Sequence, residues 1–430
     1  MRLQLIPLII LYAVLLLTDL YILADIRWLG GRKRDTIHRN LTGRRNGVRP
    51  GRGKQWAFAI FAIVVIALLT VAILMPRRDS DHEIQAIMWM LYTVLVVFVS
   101  QVVYTVFSLI GRIPRLWGAR RVNTAVWLGI PLAAVAFVAG WWGALVERRQ
   151  IDVNEVTLSS PKLPPSFDGY KIAQISDIHV GTWGSDTTFI SELVDEVNAL
   201  HPDLIVFTGD AVNRQTSELK PFLATLSRLK APDGVLSILG NHDYGDYITW
   251  NHPSERDANN ELMAAWQKQM GWKLLNNEHM FLTSGNDSIV MIGVENWGEP
   301  PFPTYGRLAD AYPLSRDSVF NLNDSRFKIL LSHNPEHWNR EVSKISNIDL
   351  TLSGHTHAMQ FMLALGGWRW SPAQYKYDQW GGLYERKNPK GEDVRIYVNI
   401  GAGEVALPMR IGATPEITLI TLRHENGKKR

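Results

Sequence analysis

Four long apolar runs, at residues 5–24, 56–75, 84–110 and 126–146, constrain this chain more than any other feature. About 20 residues at 1.5 Å rise cross the ~30 Å hydrocarbon core of a bilayer. The last three runs contain no Asp, Glu, Lys or Arg, and a helix of a soluble protein needs the polar face that they lack. The pattern predicts a transmembrane module of four helices within residues 1–150. The first run is read as an uncleaved span, because only Arg2 precedes it, no small-x-small cleavage site follows and three more spans come after it. It contains Asp19, and a carboxylate at that depth needs a partner; we read it as facing the bundle or the outer boundary.

Charge is divided between two parts of the chain. Residues 1–150 carry 19 Lys and Arg against 7 Asp and Glu, a net of +12, which leaves −8 for the remainder of a chain whose total is +4. The basic residues cluster between spans: nine lie within residues 31–54 and four within 112–121, whereas the 76–83 loop has two beside three acidic residues. Such clusters mark cytoplasmic loops. Both termini and the acidic remainder then lie on the opposite face, with Arg148 and Arg149 as weak counter-signals. An acidic globular part without a basic groove argues against nucleic acid as a partner. The absence of cysteine excludes disulfides, thiol catalysis and thiolate metal sites.

After a spacer at residues 151–169 the pattern changes. Short apolar runs at 171–176, 204–208, 235–239, 289–294, 328–332, 350–353, 396–400 and 417–422 predict buried strands. Between the first three, residues 186–200 place Phe189, Ile190, Leu193, Val194 and Val197 on one helical face, and Leu219, Phe222, Leu223, Leu226 and Leu229 do the same further on. Alternation of this kind predicts an α/β domain at residues 170–425, with a mostly parallel sheet covered by helices.

Polar motifs follow these strands directly. They are Asp177-Ile-His179, Gly209-Asp210, Gly240-Asn241-His242-Asp243, the single His333, and Gly354-His355-Thr356-His357. Loops at the carboxyl ends of strands converge in open α/β sheets. In extended chain, residues two apart point the same way, which would bring Asp177 together with His179 and His355 together with His357. Two carboxylates, an amide and several imidazoles exceed what one divalent ion needs and suit two. His38, His82, His201, His252, His279, His337 and His424 lack such a setting and receive no role.

These five motifs, in this order, resemble the calcineurin-like metallophosphoesterase family, and Gly354–Gln360 is similar to the corresponding stretch of its membrane-anchored bacterial branch. The likeness covers roughly residues 172–422. It implies a sheet sandwich flanked by helices, with one cation on Asp177, His179, Asp210 and His357. A second cation would sit on Asp210, Asn241, His333 and His355, with Asp210 bridging. Manganese, iron and zinc all fit. The resemblance further implies attack on phosphorus by a hydroxide shared between the cations, with His242 at the substrate phosphate and Asp243 orienting it. Asn213 stands where the family commonly has Asp, and Ala358-Met359 replace two glycines. The expected protein is therefore a phosphoric ester hydrolase in the bacterial cytoplasmic membrane, with its catalytic domain on the periplasmic or extracellular side. Its partners would be the bilayer and a phosphodiester or lipid-linked phosphate. Nucleotide or pyrophosphate hydrolysis, and a metal-dependent sensor or platform without turnover, are the alternatives; a transporter ranks last. Aromatics Trp368, Trp370, Tyr375, Tyr377, Trp380 and Tyr384 either contact a lipidic substrate or the bilayer, or pack onto the domain.

Overall fold

The computed structural model describes residues 5–42, 53–75, 81–118, 121–300, 303–312, 324–388 and 390–425. The chain divides into two compact units, Met1–Trp142 and Gly143–Arg430.

The first unit contains helices α1 (Leu5–Thr42), α2 (Gly53–Leu74) and α3 (Asp81–Ile110), with most of α4 (Asn123–Leu145). All four are long and apolar enough to cross a membrane. Large apolar side chains such as Leu17, Val64 and Val135 point outward, as expected where lipid rather than water is the solvent. Leu15, Val65, Leu69, Val94 and Val97 pack α1, α2 and α3 together. Helix α1 continues well past the expected end at residue 24, taking in the first half of the basic 31–54 stretch; the bases at 44, 45, 49 and 52 lie outside the described residues. Asp19 faces the bundle, where Gln101 Nε2 donates to its Oδ1 at 2.9 Å.

Asp25, one position beyond the predicted first span, is the stronger polar feature. Its buried carboxylate accepts from Arg112 Nη2 (2.8 Å), Arg121 Nη2 (2.8 Å), Ser108 Oγ (2.6 Å) and Tyr104 OH (2.8 Å). Two arginines of the 112–121 cluster are thus structural ion-pair partners and not merely signals of membrane orientation.

The second unit is built on two six-stranded sheets. In chain order the strands are β1 (Asp152–Ser160), β2 (Lys171–Ile175), β3 (Leu204–Phe207), β4 (Val235–Ser237), β5 (Trp272–Leu274), β6 (Glu278–Ser284) and β7 (Asp287–Gly293). They continue with β8 (Lys328–Leu331), β9 (Leu350–Ser353), β10 (Leu363–Leu365), β11 (Trp368–Trp370), β12 (Gly382–Lys387), β13 (Asp393–Val398) and β14 (Glu416–His424). The first sheet has the order β1-β14-β2-β3-β4-β5 and the second β12-β13-β9-β8-β7-β6, while β10 and β11 form a separate hairpin.

Leu204 and Val206 join a core shared with Ile329, Leu331, Leu350 and Leu352 of the second sheet. The alternate residues Ile205 and Phe207 pack with Phe189, Ile190 and Leu193 of helix Thr188–Ala199 on the outer face. Strands covered on both sides read as uninterrupted apolar runs, which is why they stood out in the sequence.

Three expectations need correction. The alternation points to one sheet, whereas there are two, as the family resemblance implies; the pairing is still mostly parallel, with β14 antiparallel to β2, and β6 and β12 antiparallel to β7 and β13. Residues 151–169 are not a plain spacer: β1 pairs in parallel with β14 from Asp152 to Ser160. The second amphipathic segment is a 3-10 stretch, Thr216–Phe222, followed by one short α-turn at Leu223–Leu226. Pro221 lies inside it and cannot donate to a continuous helix.

Candidate metal centre

Strands β2, β3 and β4 of one sheet and β8 and β9 of the other all end toward the same place. Asp177, His179 and His357 bring their ligand atoms together in one group, and Asp210, His333 and His355 in a second. Asp210 stands between them, with Oδ2 at 3.1 Å from His333 Nε2 and 3.6 Å from His179 Nε2. His357 Nε2 lies 3.2 Å from Asp177 Oδ1. Asp177 and His179 do come together, but not through extended chain. Asp177, His179, Asp210, His355 and His357 all have positive φ, between 40° and 76°, a left-handed region that costs a non-glycine residue stability and concentrates at functional sites. The pair His355 and His357 consequently separates, one to each group.

The donor set fits divalent cations. His179 Nε2 and His357 Nε2 face each other at 3.1 Å, and His333 Nε2 and His355 Nδ1 at 3.2 Å. Asn241 Nδ2 donates to Tyr247 OH at 2.7 Å, leaving Asn241 Oδ1 buried without a hydrogen-bond partner. Basic nitrogens in contact beside two carboxylates, with an orphaned amide oxygen on the same loop as His242, make a set short of positive charge. The outer ring nitrogens are held in place: His333 Nδ1 donates to Thr208 O at 2.7 Å and His179 Nδ1 to Val212 O at 3.1 Å. Such contacts fix which nitrogen is left to bind metal.

Electrostatics agree with the geometry. Burial pushes the Asp177 and Asp210 carboxyls up, but adjacent imidazoles outweigh it and hold both below the usual range. Burial likewise lowers His333, yet Asp210 and Asp177 raise it to about 10. His355 falls to about 3 through burial and repulsion from His333. One ring of the pair therefore carries the proton that a cation would displace.

His242 lies beside this centre. Its backbone N–H donates to Asp210 Oδ1 at 2.8 Å, its Nδ1 donates to Asn213 O at 2.6 Å, and its ring stacks on Tyr247 with centroids 4.1 Å apart. Asp243 does not orient it. The Asp243 carboxylate accepts instead from the backbone N–H groups of Asp210, Ala211, Val212 and Gly240, tying two site loops together. Burial and the neighbouring Asp210 push Asp243 up to about 7. Asn213 holds Thr182 through its side chain and His242 through its carbonyl.

Several contributors carried no spacing signal in the sequence. Tyr377 OH contacts His355 Nε2 at 3.0 Å, and the Arg410 guanidinium lies 3.3 Å from His357 Nδ1. The aromatic segment divides: Tyr377 and Trp380 are buried, whereas Trp368 and Tyr375 are exposed. Gly354 leaves no room for a side chain, since a Cβ there would overlap Ser176 Oγ and Asp177 Oδ2. Ala358 and Met359, which replace glycines, have φ of 48° and 47°, and this explains why glycine suits those positions. A cavity of about 180 Å³ opens beside the second group, lined by Asn241, Tyr247, Asn296, Asn334, His355, Lys376 and Tyr377 among others.

Comparison with known proteins agrees with this geometry. Residues 170–359 match the calcineurin-like phosphoesterase model, and residues 1–148 match a second model described as a probable calcineurin-like phosphoesterase transmembrane domain. The metallophosphoesterase YkuE of Bacillus subtilis is 32% identical over 302 residues, covering 69% of this chain and 94% of the relative. The metallophosphoesterase Cj0846 of Campylobacter jejuni is 28% identical, with 65% of this chain matching 64% of that one. UDP-2,3-diacylglucosamine pyrophosphatase LpxG of Chlamydia muridarum is 25% identical, covering 70% of this chain and 99% of the relative. The chain belongs to the calcineurin-like metallophosphoesterase family. It is a membrane protein and a metal-dependent phosphoric ester hydrolase.

Proposed function

We propose that the chain hydrolyses phosphodiester or lipid-linked phosphate bonds with two divalent cations, on the non-cytoplasmic face of a bacterial cytoplasmic membrane. The observation that carries this reading is the pair of ligand groups meeting at Asp210, beside the orphaned Asn241 Oδ1. Asp177, His179, Asp210 and His357 would hold one cation, and Asp210, Asn241, His333 and His355 the other; manganese, iron and zinc all suit these ligands. When bound, such a pair lowers the pKa of water toward neutrality and neutralises charge on phosphoryl oxygens.

The chain's own residues supply the rest. Asn213 O can only accept, so His242 Nδ1 carries a proton. The opposite nitrogen, Nε2, is a donor only when the ring is an imidazolium, and in that form it would steady the phosphoryl oxygens or protonate the leaving alkoxide. Tyr247 limits the motion of that ring by stacking on it and hydrogen-bonds Asn241 as well. A lipid-linked substrate is supported by the β10–β11 hairpin, which exposes Leu363, Leu365 and Trp368, with Tyr375 exposed just beyond it. Orientation rests on the basic residues of the 31–54 and 112–121 stretches.

A second reading, cleavage of a pyrophosphate linkage by the same site, is favoured by the similarity to LpxG. The deciding experiment loads the full-length chain in detergent with each metal and offers it a diester, a monoester, a nucleotide, a phospholipid and a lipid-linked pyrophosphate. Turnover of the diester or the phospholipid supports the proposal. Turnover of the pyrophosphates alone selects the second reading, and no turnover with any metal leaves a metal-dependent platform.

A further inference from the structure

The residues just before the first strand are part of the catalytic unit. Gly143 O accepts from Arg410 N at 3.2 Å, and Glu147 Oε1 accepts from Gly412 N at 2.6 Å. Arg148 is buried and grips Glu404 with both ends of its fork, Nε to Oε1 at 2.8 Å and Nη2 to Oε2 at 3.1 Å. Its guanidinium lies 4.2 Å from the centre of the Trp183 ring. A planar fork against a carboxylate, with one face on an aromatic ring, is a site that only arginine fills.

The loop held in this way touches the metal centre from behind. Glu404 O accepts from Thr182 Oγ1 at 2.7 Å and from Asn213 Nδ2 at 3.4 Å, and Asn213 O holds His242. Gly403 N donates to Asp177 O at 2.7 Å. Gly403 O in turn accepts from Arg410 Nε at 3.0 Å, and Arg410 reaches His357 Nδ1. Glu404 is fully buried, and a carboxylate in that state requires its partner.

We propose that Arg148 is a positioning residue, acting through Glu404 to set the Asp177 and His357 ligands and the His242 ring. The catalytic machinery then starts before residue 150, at the end of the last membrane helix. The inference rests on the metal-centre reading above. It is tested in the full-length chain in detergent with Arg148→Met, Arg148→Lys and the double variant Arg148→Met/Glu404→Gln, which removes both charges. Manganese binding is followed by calorimetry, and kcat and KM are measured separately.

Loss of contacts behind metal ligands costs roughly 10–100-fold in metal affinity or activity. Arg148→Met should therefore weaken one of two manganese sites by about that factor and lower kcat more than KM. Arg148→Lys should recover part of both. The double variant should fold, because no charge is left buried alone, and still show the weakened site. Wild-type manganese affinity and kcat in the folded double variant would overturn the proposal and leave Arg148 a purely structural residue. A wild-type chain that binds no manganese, iron or zinc would instead overturn the metal-centre reading itself.

Discussion

Two buried carboxylates, Asp25 in the membrane module and Asp210 in the catalytic unit, show how differently proteins treat a charge removed from water. Asp25 is satisfied within the chain by two arginines, a serine and a tyrosine. Its charge is balanced and its lone pairs are used. Asp210 has His179 and His333 nitrogens beside it, each facing a further imidazole, with Asp177 in the same cluster and an unpartnered buried oxygen on Asn241. That cluster is rich in donors of electron pairs and poor in positive charge. Burial alone does not mark a functional site; an incomplete set of partners does.

The contrast breaks most readily at Asp210. Asp210→Asn should lose bound metal and lower turnover by at least ~10³-fold, since several kcal/mol of transition-state stabilisation depend on the cations; metal analysis beside the rate decides it. His242→Ala should cut turnover about 10²–10⁴-fold while metal content is retained, and equal loss of metal would show that His242 is a ligand. Asp25→Asn should leave catalysis per folded molecule intact. It should destabilise the membrane module by roughly 3–5 kcal/mol, the cost of stranding one member of a buried ion pair, measurable by denaturant titration in micelles.

A third buried acid sharpens the comparison. Asp349 accepts from Lys328 N at 2.9 Å, and burial pushes it up to about 6, although Lys162 opposes this. A raised folded-state pKa gives stability that is present below pH ~4 and lost as pH rises through about 6. Asp349→Asn should flatten the stability profile between pH 4 and 6 by on the order of 2 kcal/mol, and an unchanged slope would refute the assignment. The smallest effect is expected at Met359, where positive φ costs a side chain about 1–2 kcal/mol and glycine nothing. Met359→Gly should raise thermal stability slightly, and a fall would show that the Met359 side chain packs productively.

The elements readable in advance were those with repetition. Strands buried on both faces, such as Leu204–Phe207, and the helix carrying Phe189, Leu193 and Val197 showed their patterns plainly. The site residues were readable because each follows a strand directly. Edge strands were not. Strand β1 is mostly exposed and pairs with a strand far along the chain, and β12 has only half-buried and exposed positions, so neither carries an apolar run for local pattern to register. Asp25 was missed for a similar reason, since its partners Arg112 and Arg121 look like an ordinary basic loop until the helices are assembled. Tyr377, which lines the cavity, and Arg410, which meets His357 from behind, came from distant parts of the chain that no spacing links to the motifs.

The place of β14 in the first sheet carries a consequence for how the protein is made. The last strand lies between β1 and β2, which are among the first of the catalytic unit to emerge, and Glu416–His424 spans the register of both. During synthesis that slot stays open until residues 416–424 have left the ribosome, leaving the facing edges of β1 and β2 unpaired on the nascent chain. Closure over so long a sequence separation is slow, and an open edge invites wrong pairing with neighbours.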